Sequence, residues 1–153
     1  MRKLSIGLLL IAASVAVSTP AGATPPSGVG IEVETSLLGG SSPFVATGPA
    51  VTGGVVCDTG TVVDASGKVT GFAPTGFNYQ GVKHFICDDG SGEFFVNLQA
   101  RIDFRRGTTF QWNVLTGTGA YENLRGAGSG VGLDLCGPDC VFDVYDGGLH
   151  LDP

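Results

Sequence analysis

The clearest pattern in the chain is an alternation of apolar and polar side chains from Phe77 to Val114, the period-two signature of strands with one buried face. Asp89-Gly90-Ser91-Gly92 reads as a four-residue hairpin loop that sets Asp88 opposite Glu93. Counting outward, Cys87 faces Phe94, Phe85 faces Val96, Lys83 faces Leu98, Gly81 faces Ala100, Tyr79 faces Ile102 and Phe77 faces Phe104. Arg105-Arg106-Gly107 fits a three-residue loop with glycine in the left-handed position. It sets Phe104 opposite Thr108, Ile102 opposite Phe110, Ala100 opposite Trp112 and Leu98 opposite Val114. One apolar row then crosses three strands, with Lys83 the single misfit. The reverse face carries Asn97, Gln99, Arg101, Asp103, Thr109, Gln111 and Asn113, with His84 opposite Asn97. An antiparallel meander with one wet side has this pattern.

Elsewhere the elements are shorter. Ile31–Thr35 alternates apolar and acidic residues as a half-buried strand, after a proline-containing leader over residues 24–30 that is expected to be flexible. A short strand over Phe44–Ala50 is broken at Gly48-Pro49, and Val51–Val63 reads as a β segment bent at Gly53-Gly54 and Gly60. Asp64–Gly67 is expected to turn, and Gly71–Gly76 to loop. After Ala120–Leu124, an irregular turn, Arg125–Gly132 is small and glycine-rich, and a last strand covers Val141–Tyr145. The expected fold is all-β: an antiparallel barrel of eight strands (seven to nine), closed or nearly closed, occupying residues 31–153. Closure removes exposed edges. An open sandwich is the second choice.

The first residues change the picture of location. Arg2 and Lys3 precede an apolar run, Leu4–Val17, too short to span a bilayer comfortably, which leaves an N-terminal membrane anchor as the rival reading, and Ala21-Gly22-Ala23 supplies a small-x-small cleavage site. A secretory signal peptide over residues 1–23, cleaved after Ala23, is expected, with a secreted single-domain product. The remaining chain has six basic against fourteen acidic side chains. That balance argues against nucleic acid as a partner and disfavours an anionic membrane surface. With no span in the mature chain, a soluble monomer or weak oligomer is expected.

Four cysteines in a secreted chain imply two disulfides. Cys136 and Cys140 flank a three-residue turn and suit a bridge, which leaves Cys57 with Cys87. The rival use of the same sulfurs is a four-Cys zinc site, helped by His84. Asp88–Glu93 resembles a calcium loop only superficially, because it lacks the one-apart ligand ladder. No nucleophile elbow, zinc-protease helix or catalytic-triad motif is present, so no catalytic, cofactor or metal residue is assigned. The convergent polar set is Gln99, Arg101, Asp103, Gln111 and Asn113. It is either a binding site, if its face lines a cavity, or an outer wall with a surface ion pair.

From Trp112 to Gly128 the chain reads W-x-V-x-x-G-T-G-x-Y-x-x-L-x-G-x-G. This string resembles secreted bacterial proteins related to the allene oxide cyclase and dirigent barrels, a calycin-like architecture. The stretches Phe44–Val63, with V-V-C-D-T-G-T-V-V, and Phe85–Gly92 also look typical of such members. The resemblance implies an eight-stranded barrel with an apolar lumen and with Tyr121 and Leu124 plugging one end. From the register, the lumen would be lined by Phe77, Tyr79, Lys83, Phe85, Phe94, Val96, Leu98, Ile102, Phe104, Phe110, Trp112 and Val114. Three functions follow: a binder of a small apolar ligand, a cyclase or isomerase acting by confinement with Lys83 as its inward polar group, and a structural surface protein with a filled core. An interior volume separates the third from the others.

Overall fold

In the computed structural model, which describes residues 25–137 and 139–153, eight antiparallel strands close into one barrel. They are β1 (Ser27–Ser36), β2 (Ser41–Thr47), β3 (Thr59–Ala73), β4 (Gly76–Cys87), β5 (Gly92–Asp103), β6 (Gly107–Gly119), β7 (Leu124–Leu133) and β8 (Cys140–Leu151). Each strand pairs with the next, and β1 pairs with β8 from Ser27↔Leu149 to Ser36↔Cys140, which closes the cylinder. The expected signal peptide lies outside the described residues. No helix among the described residues is long and apolar enough to cross a membrane.

The up-and-down connectivity gives the barrel two unlike ends. One end holds the short helix α1 (Pro49–Thr52), the β4–β5 and β6–β7 turns and the start of β1. It is sealed by Ala50, Val56, Tyr121, Leu124 and Leu149, all buried. The other end, the mouth, holds the β1–β2, β3–β4, β5–β6 and β7–β8 connections. There Leu37 N–H donates to the Asp139 carbonyl (2.8 Å) and Phe104 N–H to the Thr75 carbonyl (3.0 Å), tying the connections in pairs.

The faces of β4, β5 and β6 follow the expected alternation, but both hairpins are shifted by two residues. Phe85 lies opposite Phe94, Lys83 opposite Val96, Gly81 opposite Leu98, Tyr79 opposite Ala100 and Phe77 opposite Ile102. His84 lies opposite Phe95 rather than Asn97. The cause is in the loop. Asp89 accepts the Ser91 N–H (2.8 Å) and Gly90 takes φ 72, so the turn is Asp88–Ser91 and Gly92 already belongs to β5. At the next turn Asp103 accepts the N–H groups of Arg105 (2.9 Å) and Arg106 (3.1 Å). Gly107 therefore opens β6 opposite Asp103, and Leu98 meets Trp112. An even shift keeps every side chain on its face. Phe104 is the exception: expected in the lumen, it sits on the turn and is 59% exposed.

Four further expectations are corrected. Residues 27–30 of the supposed leader pair with β8. Residues 51–58 are not β: Gly48, at φ 102, turns the chain into α1 with Pro49 at its start. Asp64–Gly67 is not a turn but a bulge at Ala65, after which β3 runs on to a reversal at Ala73↔Gly76. The glycine-rich Arg125–Gly132 is strand β7, and β8 continues past Tyr145 to Leu151.

Candidate functional site

Large aromatics fill the sealed half of the lumen. Phe85 stacks on Phe94 (centroids 4.9 Å) and meets Phe44 edge-on (5.2 Å); Tyr145 packs on Phe110 (4.7 Å). Trp112 fits because the wall behind it has no side chains: its ring lies over Gly128 and Gly147, as the Phe110 ring lies over Gly130. The indole N–H donates to the carbonyls of Ser129 (3.1 Å) and Asp146 (3.3 Å). Tyr121 closes the stack against Phe94, its hydroxyl 2.6 Å from the Ser91 hydroxyl.

Toward the mouth the filling stops. A cavity of about 270 Å³ remains, walled by Phe77, Leu98, Ile102, Phe110 and Val141 and bordered by Leu37 and Gly39 of the β1–β2 connection. Its polar lining includes Lys83, Asp64, Asp143 and Thr35, with Ser36, Tyr79 and Thr108 beside them. Lys83 is only 6% exposed and its Nζ lies 2.7 Å from Asp64 Oδ1. Asp64 sits at the β3 bulge, opposite Lys83 and one residue past the last β2–β3 pair, Ser41↔Val63, which leaves its carboxylate half exposed. Asp143, 8% exposed, accepts the Thr35 hydroxyl at 2.7 Å.

The electrostatics follow from this burial. Desolvation pushes the Asp143 carboxyl above its ordinary value; the Thr35 hydrogen bond and the Lys83 charge pull it back, and Asp64 adds to the rise. Deeper by one inward position, Tyr145 is 1% exposed and its hydroxyl has no protein partner. Burial first, then the charges of Asp143 and Asp64 and the neighbouring Tyr79, hold its phenol well above the usual tyrosine value. Tyr79, at the cavity wall, is raised by partial burial and by Asp64. Tyr79 lies across Gly67 and Gly81, where any β-carbon would strike its ring. Chemically this is a greasy pocket with one ammonium, two carboxyls and hydroxyl donors at its base.

The structure places the expected residues as follows. Lys83, Phe85, Phe94, Val96, Leu98, Phe110, Trp112 and Val114 are buried in the lumen, while Phe77, Tyr79 and Ile102 are partly buried at the mouth. Gln99, Arg101 and Gln111 are exposed on the outer wall with Asp103 and Asn113, so this set does not line the lumen. No ion pair joins Arg101 to Asp103 among the described residues, because Asp103 is spent on capping its turn. Cys57 bridges Cys87 at the sealed end and Cys136 bridges Cys140 at the mouth, with Cα atoms 6.0 and 5.5 Å apart. Four sulfurs split between two ends do not form one zinc site. At the β4–β5 turn Asp89 is tied to Ser91, and Glu93 to His84 (2.7 Å), so those carboxylates do not converge. Glu34 lies near the sulfurs of Cys136 and Cys140, which are already bonded to each other.

Asp143, Asp64, Thr35 and Tyr145 escaped sequence reasoning. In Val141–Tyr145 both faces are apolar, and the strand turns Asp143 and Tyr145 inward while Phe142 and Val144 face outward. The one legible signal was Lys83, a cation in an apolar row that needs an inward anion. Comparison with protein-family models, with curated proteins and with solved structures returns no match.

Proposed function

We propose that this chain is a secreted binding barrel, akin to the allene oxide cyclase and dirigent barrels, that takes a small, mostly apolar molecule bearing one polar group. The observation that carries the reading is the division of the lumen: aromatics fill one half, while the other leaves about 270 Å³ between apolar walls and the Lys83–Asp64 and Asp143–Thr35 pairs. Ligand pockets combine apolar walls with a few placed polar groups in this way. The volume lies just under the range of about 300–1,000 Å³ usual for drug-sized ligands, so the molecule is small.

Native mass spectrometry of protein purified from its own culture medium tests the reading. A retained small molecule, lost in a Leu98→Trp variant that fills the cavity, is the expected result. An adduct-free barrel whose Leu98→Trp variant gains stability without any change in ligand content overturns it, and favours a scaffold with a filled core.

The buried Lys83, Asp143 and Tyr145 groups favour a second reading, an isomerase or cyclase acting by confinement. An acid whose proton is held above the ordinary carboxylate range is poised for proton transfer. Turnover of the retained molecule, abolished in Asp143→Asn with binding kept, distinguishes catalysis from carriage.

A further inference from the structure

The mouth of the barrel exposes large apolar side chains on separate connections: Phe72 is 76% exposed and Phe104 59%, beside exposed Val69. Phe72 stacks on Phe77 (centroids 6.3 Å), which meets Phe104 edge-on (6.0 Å). This aromatic row runs from the outer lip to Phe77 in the cavity wall. The lip formed by the β3–β4 and β5–β6 turns is also basic. Lys68, Arg101, Arg105 and Arg106 are exposed there, and residues 65–87 contain no carboxylate. The lip's one acid, Asp103, is engaged by the backbone N–H groups of Arg105 and Arg106.

The acidic charge lies elsewhere. Asp58, Asp88, Asp89, Glu93, Glu122 and Asp152 cluster at the sealed end. Net charge, which alone disfavours an anionic surface, therefore averages over unlike patches; at the mouth itself Glu34, Asp134, Asp139 and Asp143 lie on the β1–β8 side and Asp64 is paired with Lys83, away from the two turns. We propose that the β3–β6 lip docks on an anionic lipid surface, with Phe72 and Phe104 entering the interfacial layer and Arg105 and Arg106 meeting phosphates. Aromatic tips flanked by cations suit that boundary, where apolar burial and headgroup charge act together. The opposite lip, carrying Asp134 and Asp139, is tilted away. An apolar molecule leaving the bilayer would meet the Phe72–Phe77–Phe104 row before the cavity. Docking itself does not depend on the cavity being occupied.

A chain starting at Thr24, which keeps the whole closed barrel from Ser27 to Leu151, is floated with vesicles of phosphatidylcholine alone or mixed with phosphatidylglycerol. Binding to the anionic vesicles that weakens as salt rises is expected. Phe72→Ser with Phe104→Ser, and separately Arg105→Gln with Arg106→Gln, each cut the vesicle-bound fraction on the order of tenfold or more. Asp88→Asn with Glu122→Gln at the sealed end leaves it unchanged. All three pairs are exposed, and an unchanged melting temperature, measured alongside, separates lost binding from lost folding. No binding to either vesicle overturns the proposal. So does a dimer in sedimentation velocity that Phe72→Ser with Phe104→Ser abolishes, because the lip then belongs to a second copy.

Discussion

Asp143 and Tyr145 show what the mouth costs at the scale of single residues. Burial raises the Asp143 carboxyl above its unfolded value, so the folded state holds that proton more tightly than the unfolded chain does. Stability from this group is therefore greatest below the ordinary aspartate range near about 4, and falls as pH rises through the raised value. Asp143→Asn keeps an acceptor for Thr35 and should flatten that fall, read as a smaller change in urea midpoint between acid and neutral pH than in the parent. Tyr145 behaves alike at the alkaline end. Its raised phenol stays protonated while unfolded tyrosines ionise near about 10, so stability drops as pH climbs through that value. Tyr145→Phe removes an unpartnered buried hydroxyl and should unfold at the same or higher denaturant, by up to about 1 kcal/mol, with a weaker alkaline loss. A variant more stable yet poorer in ligand retention would mark the hydroxyl as kept for function.

At the scale of elements, β7 explains what the sequence hid. Its glycines read as loop punctuation, yet Gly128 and Gly130 are strand positions stripped of side chains so that Trp112 and Phe110 fill the lumen. A composition rule cannot separate glycine for a turn from glycine for a neighbouring ring. The β4–β6 faces were legible because strict alternation survives a two-residue slip; the slip itself came from Asp89 and Asp103 capping their own turns. The site was less legible, since its polar members come from β1, β3, β4 and β8 and meet only on closure. Gly130→Ala would drive a β-carbon into the Phe110 ring and the Val144 carbonyl, and should cost about 1–3 kcal/mol in chemical denaturation. β3 offers a second check. Beyond Val63 it has no β2 partner, so amides in Ser66–Ala73 that point away from β4 should exchange with solvent far faster than those of Thr59–Val63.

Across the whole molecule, the two disulfides guard different things. Cys57–Cys87 fastens α1 and its following loop to β4 at the sealed end, across a separation of 30 residues; Cys136–Cys140 pins a short loop at the mouth across 4. Loop-closure entropy makes the first worth about 3.7 kcal/mol and the second about 2. Cys57→Ala with Cys87→Ala should lower the melting temperature more than Cys136→Ala with Cys140→Ala. The second pair should lower it less, while loosening the loop that carries Leu135 and the Asp139 carbonyl bonded to Leu37.

The pairing of β1 with β8 also sets a schedule. Ser27 waits for Leu149, so no cylinder exists until nearly the whole chain has been made available. Nucleation cannot be local at that seam, and refolding should fall in the milliseconds-to-seconds range of chains dominated by distant contacts. Until then β1 is an open template with its β8-facing hydrogen-bonding groups bare, and a chain truncated before Cys140 should associate with its own kind rather than stay single.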